Sequence, residues 1–340
     1  MNKPAFIKQY IGTTFYKTPD IGFLLLIIKK VQAIFFPYFY GNFYKRKSLK
    51  RIMIKKVLLT SVLCGLVYSM SFGQSFLQQQ LQNPVFQEAY QQKDSVLKRE
   101  FEAKGLTYPS RFIYFRSFKY DSRLEVWVKN NPTDTFKLFK SYRICALSGA
   151  LGPKRQEGDY QVPEGFYYIN KFVPGSIYHL ALGLNYPNFS DRSNGDKLNP
   201  GSGIYIHGSC VTVGCIPLTD PKMDEVYILA VHARNLGQNY IPVHIFPVDF
   251  NNNRSVAYMD KSNADDKANQ QFWGKLKKAF DDFNATHRLP VILFDQNGRY
   301  VVKENNSSEE LDKHIAAGWS LKMLEEHHDP TLQSPLQSPQ

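Results

Sequence analysis

From Arg111 the side chains fall into a period of two, and that change constrains the fold more than any other feature of the chain. Phe112, Tyr114 and Arg116 oppose Ile113, Phe115 and Ser117, and Tyr120-Asp121-Ser122 then forms a turn. Residues 124–129 are strongly strand-like, Asn130-Asn131-Pro132-Thr133-Asp134 is a second turn, and 135–147 reads as a further strand. Successive strand side chains point to opposite faces, so hairpins in series predict a β-rich domain. Strands are also predicted at 166–169, 178–184 and 241–248, the last including His244.

Helices are expected around this β-rich region. Phe86, Ala89, Tyr90, Val96, Leu97 and Phe101 form a helical stripe that Gly105 is placed to end. Asp220-Pro221 with early acids reads as a helix start with Asp220 as its cap, and Val226, Tyr227, Leu229, Ala230 and Ala233 continue the apolar face. Beyond Asn251, Phe272, Trp273, Leu276, Ala279, Phe280 and Phe283 mark an amphipathic helix, and Asn297-Gly298 joins a hairpin. Residues 149–165 and 185–203, dense in Gly, Pro and polar groups, are expected as loops. The second is a candidate lid or cleft wall.

The formal charge of +12 would suit a nucleic-acid or membrane-surface protein, but its distribution argues otherwise. Residues 1–73 hold twelve Lys and Arg against Asp20 alone, so the other 267 residues carry 30 basic and 29 acidic side chains, a net +1. No nucleic-acid partner is expected. Met53-Ile54-Lys55-Lys56, a short apolar core to Met70 and Ser71-Phe72-Gly73 have the form of a secretory signal peptide. Residues 1–52 then read as an upstream extension before a start at Met53. Their two apolar runs fall short of the ~20 residues that span a bilayer, and membrane anchoring is the competing reading. The expected organisation is extension 1–52, signal peptide 53–73, helical segment 74–107, β-rich domain 108–250, a small α/β appendage 251–328 and a disordered tail 329–340 rich in Pro, Ser and Gln.

Chemistry concentrates in Ile204-Tyr205-Ile206-His207-Gly208-Ser209-Cys210-Val211-Thr212-Val213-Gly214-Cys215. A thiolate attacks far better than a thiol, so a nucleophilic cysteine needs a nearby base or positive group, and His207 is the candidate partner of Cys215. Gly208 and Gly214 permit tight turns, amides around Gly214 and Cys215 could stabilise an oxyanion, and a carbonyl of Gly208 or Ser209 could orient the imidazole. Cysteine also packs as a plain small hydrophobe. Zinc is a further alternative, since His207, Cys210 and Cys215 are all ligand types. The absence of any C-x-x-C or H-x-x-x-H pair disfavours it, and no metal or organic cofactor is expected. An exported chain with Cys145, Cys210 and Cys215 has an odd thiol count. A Cys145–Cys210 disulfide leaving Cys215 free, or three reduced thiols, both stay open.

Three ordered blocks carry a resemblance: 206–220 around His207 and Cys215; Ser148-Gly149-Ala150-Leu151-Gly152-Pro153-Lys154 with Glu157-Gly158-Asp159 and Pro163-Glu164-Gly165-Phe166-Tyr167; and Tyr178-His179-Leu180 through Tyr186-Pro187-Asn188 to Asp191-Arg192. The chain resembles the L,D-transpeptidase catalytic domain family (YkuD-type), specifically its YafK-like branch. The resemblance implies a mainly β fold with peripheral helices, an L,D-transpeptidase-like β-sandwich of mixed sheets. It implies Cys215 as nucleophile and His207 as base, acting through a thioester on the diaminopimelate carbonyl of peptidoglycan stem peptides, in the periplasm or cell envelope. Wall-attached proteins are further expected partners, and a monomer is expected. His179, Lys154, Arg192 and Tyr205 are the candidate substrate contacts; Arg192, Lys197 and Lys154 are of the type that holds stem carboxylates. Where the better-known branch carries an arginine after the cysteine, this chain has Ile216-Pro217. The acyl acceptor is therefore open between amine and water, so a hydrolytic member (L,D-carboxypeptidase, or amidase releasing wall-attached protein) is an alternative reading. A cell-wall binding module without catalysis and an extracellular cysteine protease are the rival classes.

Overall fold

The computed structural model describes residues 74–303. The predicted extension, signal peptide and tail lie outside the described residues. Two helices open the described chain, α1 (Phe76–Gln80) and α2 (Pro84–Ala103). Asn83 caps α2 by accepting the N–H groups of Val85 and Phe86, with Pro84 in the first turn, where its missing N–H costs nothing.

There follow β1 (Phe112–Phe118), β2 (Arg123–Lys129), β3 (Lys137–Arg143), β4 (Gly165–Ser176) and β5 (His179–Leu184). Next come α3 (Phe189–Asn194), β6 (Tyr205–His207), β7 (Ile216–Pro217), α4 (Asp220–Asn235) and β8 (Ile241–Phe246). The chain continues through α5 (Asn253–Ser262), α6 (Lys267–Thr286), β9 (Val291–Phe294) and β10 (Tyr300–Lys303). The first eight strands hydrogen-bond as one mixed sheet in the order β3-β2-β1-β8-β4-β5-β6-β7, parallel at β1–β8 and β6–β7; β9 and β10 form a separate hairpin. The mainly β class with peripheral helices is what the chain adopts, its eight strands forming one large mixed sheet where a sandwich of sheets is expected, with register irregularities in the β2–β3 and β4–β5 ladders.

Period two in β1 sorts residues between two cores rather than between core and water. All seven positions are buried. Ile113 and Phe115 join the core under α2 and α4, with Val243 and Ile245 of β8 and Tyr167 and Ile169 of β4. Phe118, Phe166 and Phe246 face the other way, onto Trp273, Leu276 and Phe280 of α6. Each large side chain so buried contributes about 1.5–3 kcal/mol. The helix expected within an appendage is therefore a layer of the fold. A buried polar cluster ties it down: Trp273 Nε1 donates to Glu164 Oε2 (2.7 Å), Gly152 N–H to Glu164 Oε1 (2.9 Å), and Lys119 Nζ to the carbonyls of Gly152 and Val162. Desolvation lowers the Lys119 ammonium, opposed by its Glu164 partner 3.4 Å away.

Three features differ from expectation. The 185–203 loop contains α3, a single turn closed by a capping box in which Asn188 and Asp191 satisfy each other's backbone N–H. α5 was not anticipated. The cap of α4 is Thr219, with Asp220 the first helical residue.

Candidate active site

The site forms where β6 and β7 run side by side. Ile206 pairs with Ile216 and His207 with Pro217, and both isoleucines are buried in the core under α4. Tyr205 and His207 must then face the opposite side. Cys215 immediately precedes β7 and aligns with Tyr205, whose N–H reaches its Sγ at 3.4 Å. Cys215 and His207 thus lie diagonally across two adjacent parallel strands, on one face. The register, set by burying Ile206 and Ile216, is what turns both toward that face.

The loop between them is pinned at three points. Ser209, with φ of +66°, donates its N–H to Asp220 Oδ1 (2.7 Å). Cys210 is disulfide-bonded to Cys145, with Cα atoms 5.5 Å apart. This resolves the thiol count: Cys215 is the free thiol among the described residues, and Cys210 is removed from any zinc set with His207. Thr212 Oγ1 accepts the Gly214 N–H (3.0 Å) and donates to the Cys215 carbonyl (2.8 Å). Both glycines are required. Gly214 adopts φ of +141°, and a Cβ there would lie 2.9 Å from the Gln161 carbonyl. A Cβ at Gly208 would lie 2.5 Å from Asp220 Oδ1 and 2.9 Å from His179 Cβ.

His207 is buried, and its Nδ1 lies 2.6 Å from the Gly208 carbonyl. A carbonyl only accepts, so Nδ1 carries the proton and Nε2 keeps the lone pair a base needs. The Tyr178 ring packs against the imidazole at 4.8 Å between centroids. Burial lowers the His207 pKa, opposed by the Gly208 hydrogen bond. Burial raises that of the Cys215 thiol, opposed by the Tyr205 N–H and the Lys154 charge. At neutral pH the resting pair is therefore neutral thiol and neutral imidazole. No hydrogen bond joins them; the thiol faces the Gly203 carbonyl at 3.7 Å.

The other expected site residues are distributed as follows. Tyr205 lies beside Cys215. His179, at the start of β5 with φ of +69°, is held by Asp224 at 2.6 Å between Nε2 and Oδ1. Ala181, two residues on, pairs with His207 across β5–β6. Lys154 is buried and bound to Asp159 Oδ1 at 2.6 Å, which leaves it no open face for a substrate carboxylate. Arg192, on α3, donates to the Pro187 carbonyl (2.5 Å). Lys197 caps the end of that helix through the Arg192 carbonyl at 3.2 Å. The Gly214 N–H is occupied by Thr212, so it is not an oxyanion donor in this arrangement, and the Ser209 N–H is spent on Asp220. Sequence reasoning missed Tyr178, Thr212, Asp220 and Asp224 as parts of the site. The four-residue spacing of the two acids, which puts both on one face of α4, was the available clue.

Comparison with known proteins bears on this geometry. The family model for the L,D-transpeptidase catalytic domain matches residues 119–245. The chain is 35% identical over 211 residues to YafK of Escherichia coli (strain K12), whose own assignment as an L,D-transpeptidase is provisional; the match spans 62% of this chain and 81% of that protein. YafK of Escherichia coli O157:H7 matches equally. Among solved structures, the helical cell shape determining protein Pgp2 of Campylobacter jejuni is 18% identical at a TM-score of 0.32, covering 67% of this chain and 78% of that one. Bd1075 of Bdellovibrio bacteriovorus is 21% identical at a TM-score of 0.29, covering 52% of this chain and 62% of that one. Similarities that low carry no functional argument.

Proposed function

This chain belongs to the L,D-transpeptidase catalytic domain family, and from that premise we propose that it is an exported cysteine acyltransferase acting on peptidoglycan stem peptides. What supports the reading most is the β6–β7 register, which sets Cys215 and His207 toward one face by strand alternation, with His207 Nδ1 fixed by the Gly208 carbonyl and Nε2 left as the base.

Attack on a diaminopimelate carbonyl begins when the Cys215 side chain turns from the Gly203 carbonyl toward Nε2. The S–H proton passes to Nε2 as the S–C bond forms, so charge separation is confined to the moment of reaction. The Cys215 N–H is the proposed oxyanion donor. The C–N bond then breaks, the amine leaves with the proton held on His207, and a thioester remains. An acceptor amine or water returns a proton to His207, attacks the thioester and regenerates the thiol. With Ile216 and Pro217 filling the positions after Cys215, no cation stands there to hold an acceptor carboxylate, which supports water as the alternative acceptor.

Incubation of purified protein with sacculi, followed by mass spectrometry of the released fragments, tests this. Joined dimers mean transpeptidation; trimmed stems or released proteins mean hydrolysis. Unchanged sacculi would contradict both and leave the binding-module reading. Export to the periplasm or cell envelope is part of the same proposal.

A further inference from the structure

Cys215 is placed where its thiolate is disfavoured. Burial acts against its ionisation, and the neutral imidazole makes no hydrogen bond to it. A thiolate in such surroundings needs a fixed positive charge. The charged group that acts on it is Lys154 of the 148–165 loop, which has Asp159 and Glu157 of the same loop beside it; His207 lies on the same face of β6.

Lys154 is placed to supply that charge without touching the substrate. Its side chain is buried, and Nζ donates to Asp159 Oδ1 (2.6 Å) and the Gln156 carbonyl (2.9 Å). Its Cε and Nζ pack against Gly201 so closely that a Cβ there would meet them at 2.8 and 3.4 Å. Two residues on, the Gly203 carbonyl faces Cys215 Sγ at 3.7 Å. On the other side Asp159 accepts the Gln161 N–H, and the Gln161 carbonyl presses on Gly214, next to Cys215. The pair is thus held between the two backbone segments that flank the thiol. Asp159 stays ionised: burial works to raise it, but the Lys154 hydrogen bond and three backbone N–H groups outweigh that and hold it below its ordinary value. Glu157 Oε2 accepts the Ser202 N–H at 3.3 Å and lies beside the same Gly201 position as the ammonium, where a Cβ would meet it at 3.0 Å, so it is a second acidic group next to Lys154.

We propose that Lys154, locked by Asp159 behind Gly201 and Gly203, is a positioning residue whose buried ammonium stabilises the Cys215 thiolate rather than a contact for substrate carboxylates. The inference rests on Cys215 being the nucleophile, but its test needs no substrate. The proton lost on ionisation goes to solvent or His207.

The test is the rate of iodoacetamide alkylation at Cys215 against pH, read on the Cys215 peptide of the full chain, so that the fourth cysteine, Cys64 of the 53–73 segment, does not interfere, and without reductant, so that the disulfide stays closed. Lys154→Met should move the midpoint up by about one pH unit, a rate about tenfold slower at pH 7.5, while Lys154→Arg keeps the wild-type profile. A wild-type profile in Lys154→Met overturns the proposal. So does an equal shift in both variants, because a merely structural role would not distinguish charge. Should Lys154→Met fail to fold, Asp159→Asn decides: its midpoint should fall, and an unchanged or higher one overturns the proposal. If these profiles behave as stated while sacculi stay unchanged, it is the proposed function that fails and not the role of Lys154.

Discussion

Gly208→Ala probes the site and the fold at one atom. The added Cβ would sit 2.5 Å from Asp220 Oδ1, about 0.9 Å short of the 3.4 Å at which ordinary contact begins, and 2.9 and 3.0 Å from His179 Cβ and the Tyr178 carbonyl. None of these neighbours is free. Asp220 is bonded to the Ser209 N–H, His179 to Asp224, and the Tyr178 carbonyl to the Gly208 N–H at 3.1 Å. Overpacking of this kind costs about 1–3 kcal/mol. Displacing Asp220 by the missing distance breaks its 2.7 Å bond to Ser209, worth about 0.5–1.5 kcal/mol at an exposed site. The total, about 1.5–4.5 kcal/mol, is a large part of a typical domain stability of about 5–15 kcal/mol. The Gly208 carbonyl also holds His207 Nδ1, so turnover should fall by about a hundredfold, the effect of a misplacement near 1 Å. Urea unfolding and kcat/KM on muropeptides measure both. Asp220→Ala in the same chain should restore part of the lost stability, because the closest clash disappears, giving a non-additive cycle. Unchanged stability and turnover in Gly208→Ala, or strict additivity in the double variant, would refute the packing argument.

Three further outcomes follow from particular contacts. Removing the Cys145–Cys210 disulfide by a Cys→Ser pair should destabilise the protein by about 4 kcal/mol, the loop-closure entropy for a separation of 65 residues; a loss below 1 kcal/mol in denaturant unfolding would contradict a stapling role. Trp273→Phe removes the indole N–H from the buried Glu164 carboxylate and should cost about 1.5–3 kcal/mol in the same assay, an effect absent if α6 were a loose appendage. The base must be neutral to accept a proton, and burial lowers the His207 pKa. The acid limb of kcat/KM should therefore have its midpoint below 6.5, with activity rising as pH rises through it; a midpoint above 6.5 would rule out this buried imidazole as the base.

Strands β1, β2 and β8 were legible because period two and turn residues are local properties of the chain. Less legible was anything that depends on which strands meet. Tyr178 touches His207 only because β5 pairs with β6, and Cys145 meets Cys210 across 65 residues, so neither contact leaves a local mark. α3 escaped notice because six residues are too few for an apolar stripe, although the Asn188-to-Asp191 spacing of a capping box was there. Lys154, on a loop dense in Gly, Pro and charge, is expected from sequence as a contact for stem carboxylates, whereas it is buried. Its burial is set by Gly201 and Asp159, which the fold and not the local sequence brings to it. His207 and Cys215 stand out as a pair in the sequence because the seven residues between them, with glycine at 208 and 214, form a short connection that can return the chain to an adjacent strand.

The central claim is that Cys215 carries the acyl group. Its most direct measurement is the mass of acid-quenched protein taken during turnover of a tetrapeptide-bearing muropeptide, followed by digestion to locate the adduct. The account predicts a stem-peptide mass on the Cys215 peptide in wild type, lost on treatment with hydroxylamine as a thioester is, and neither adduct nor turnover in Cys215→Ala. Wild-type turnover by Cys215→Ala, or an adduct on any other residue, would contradict it.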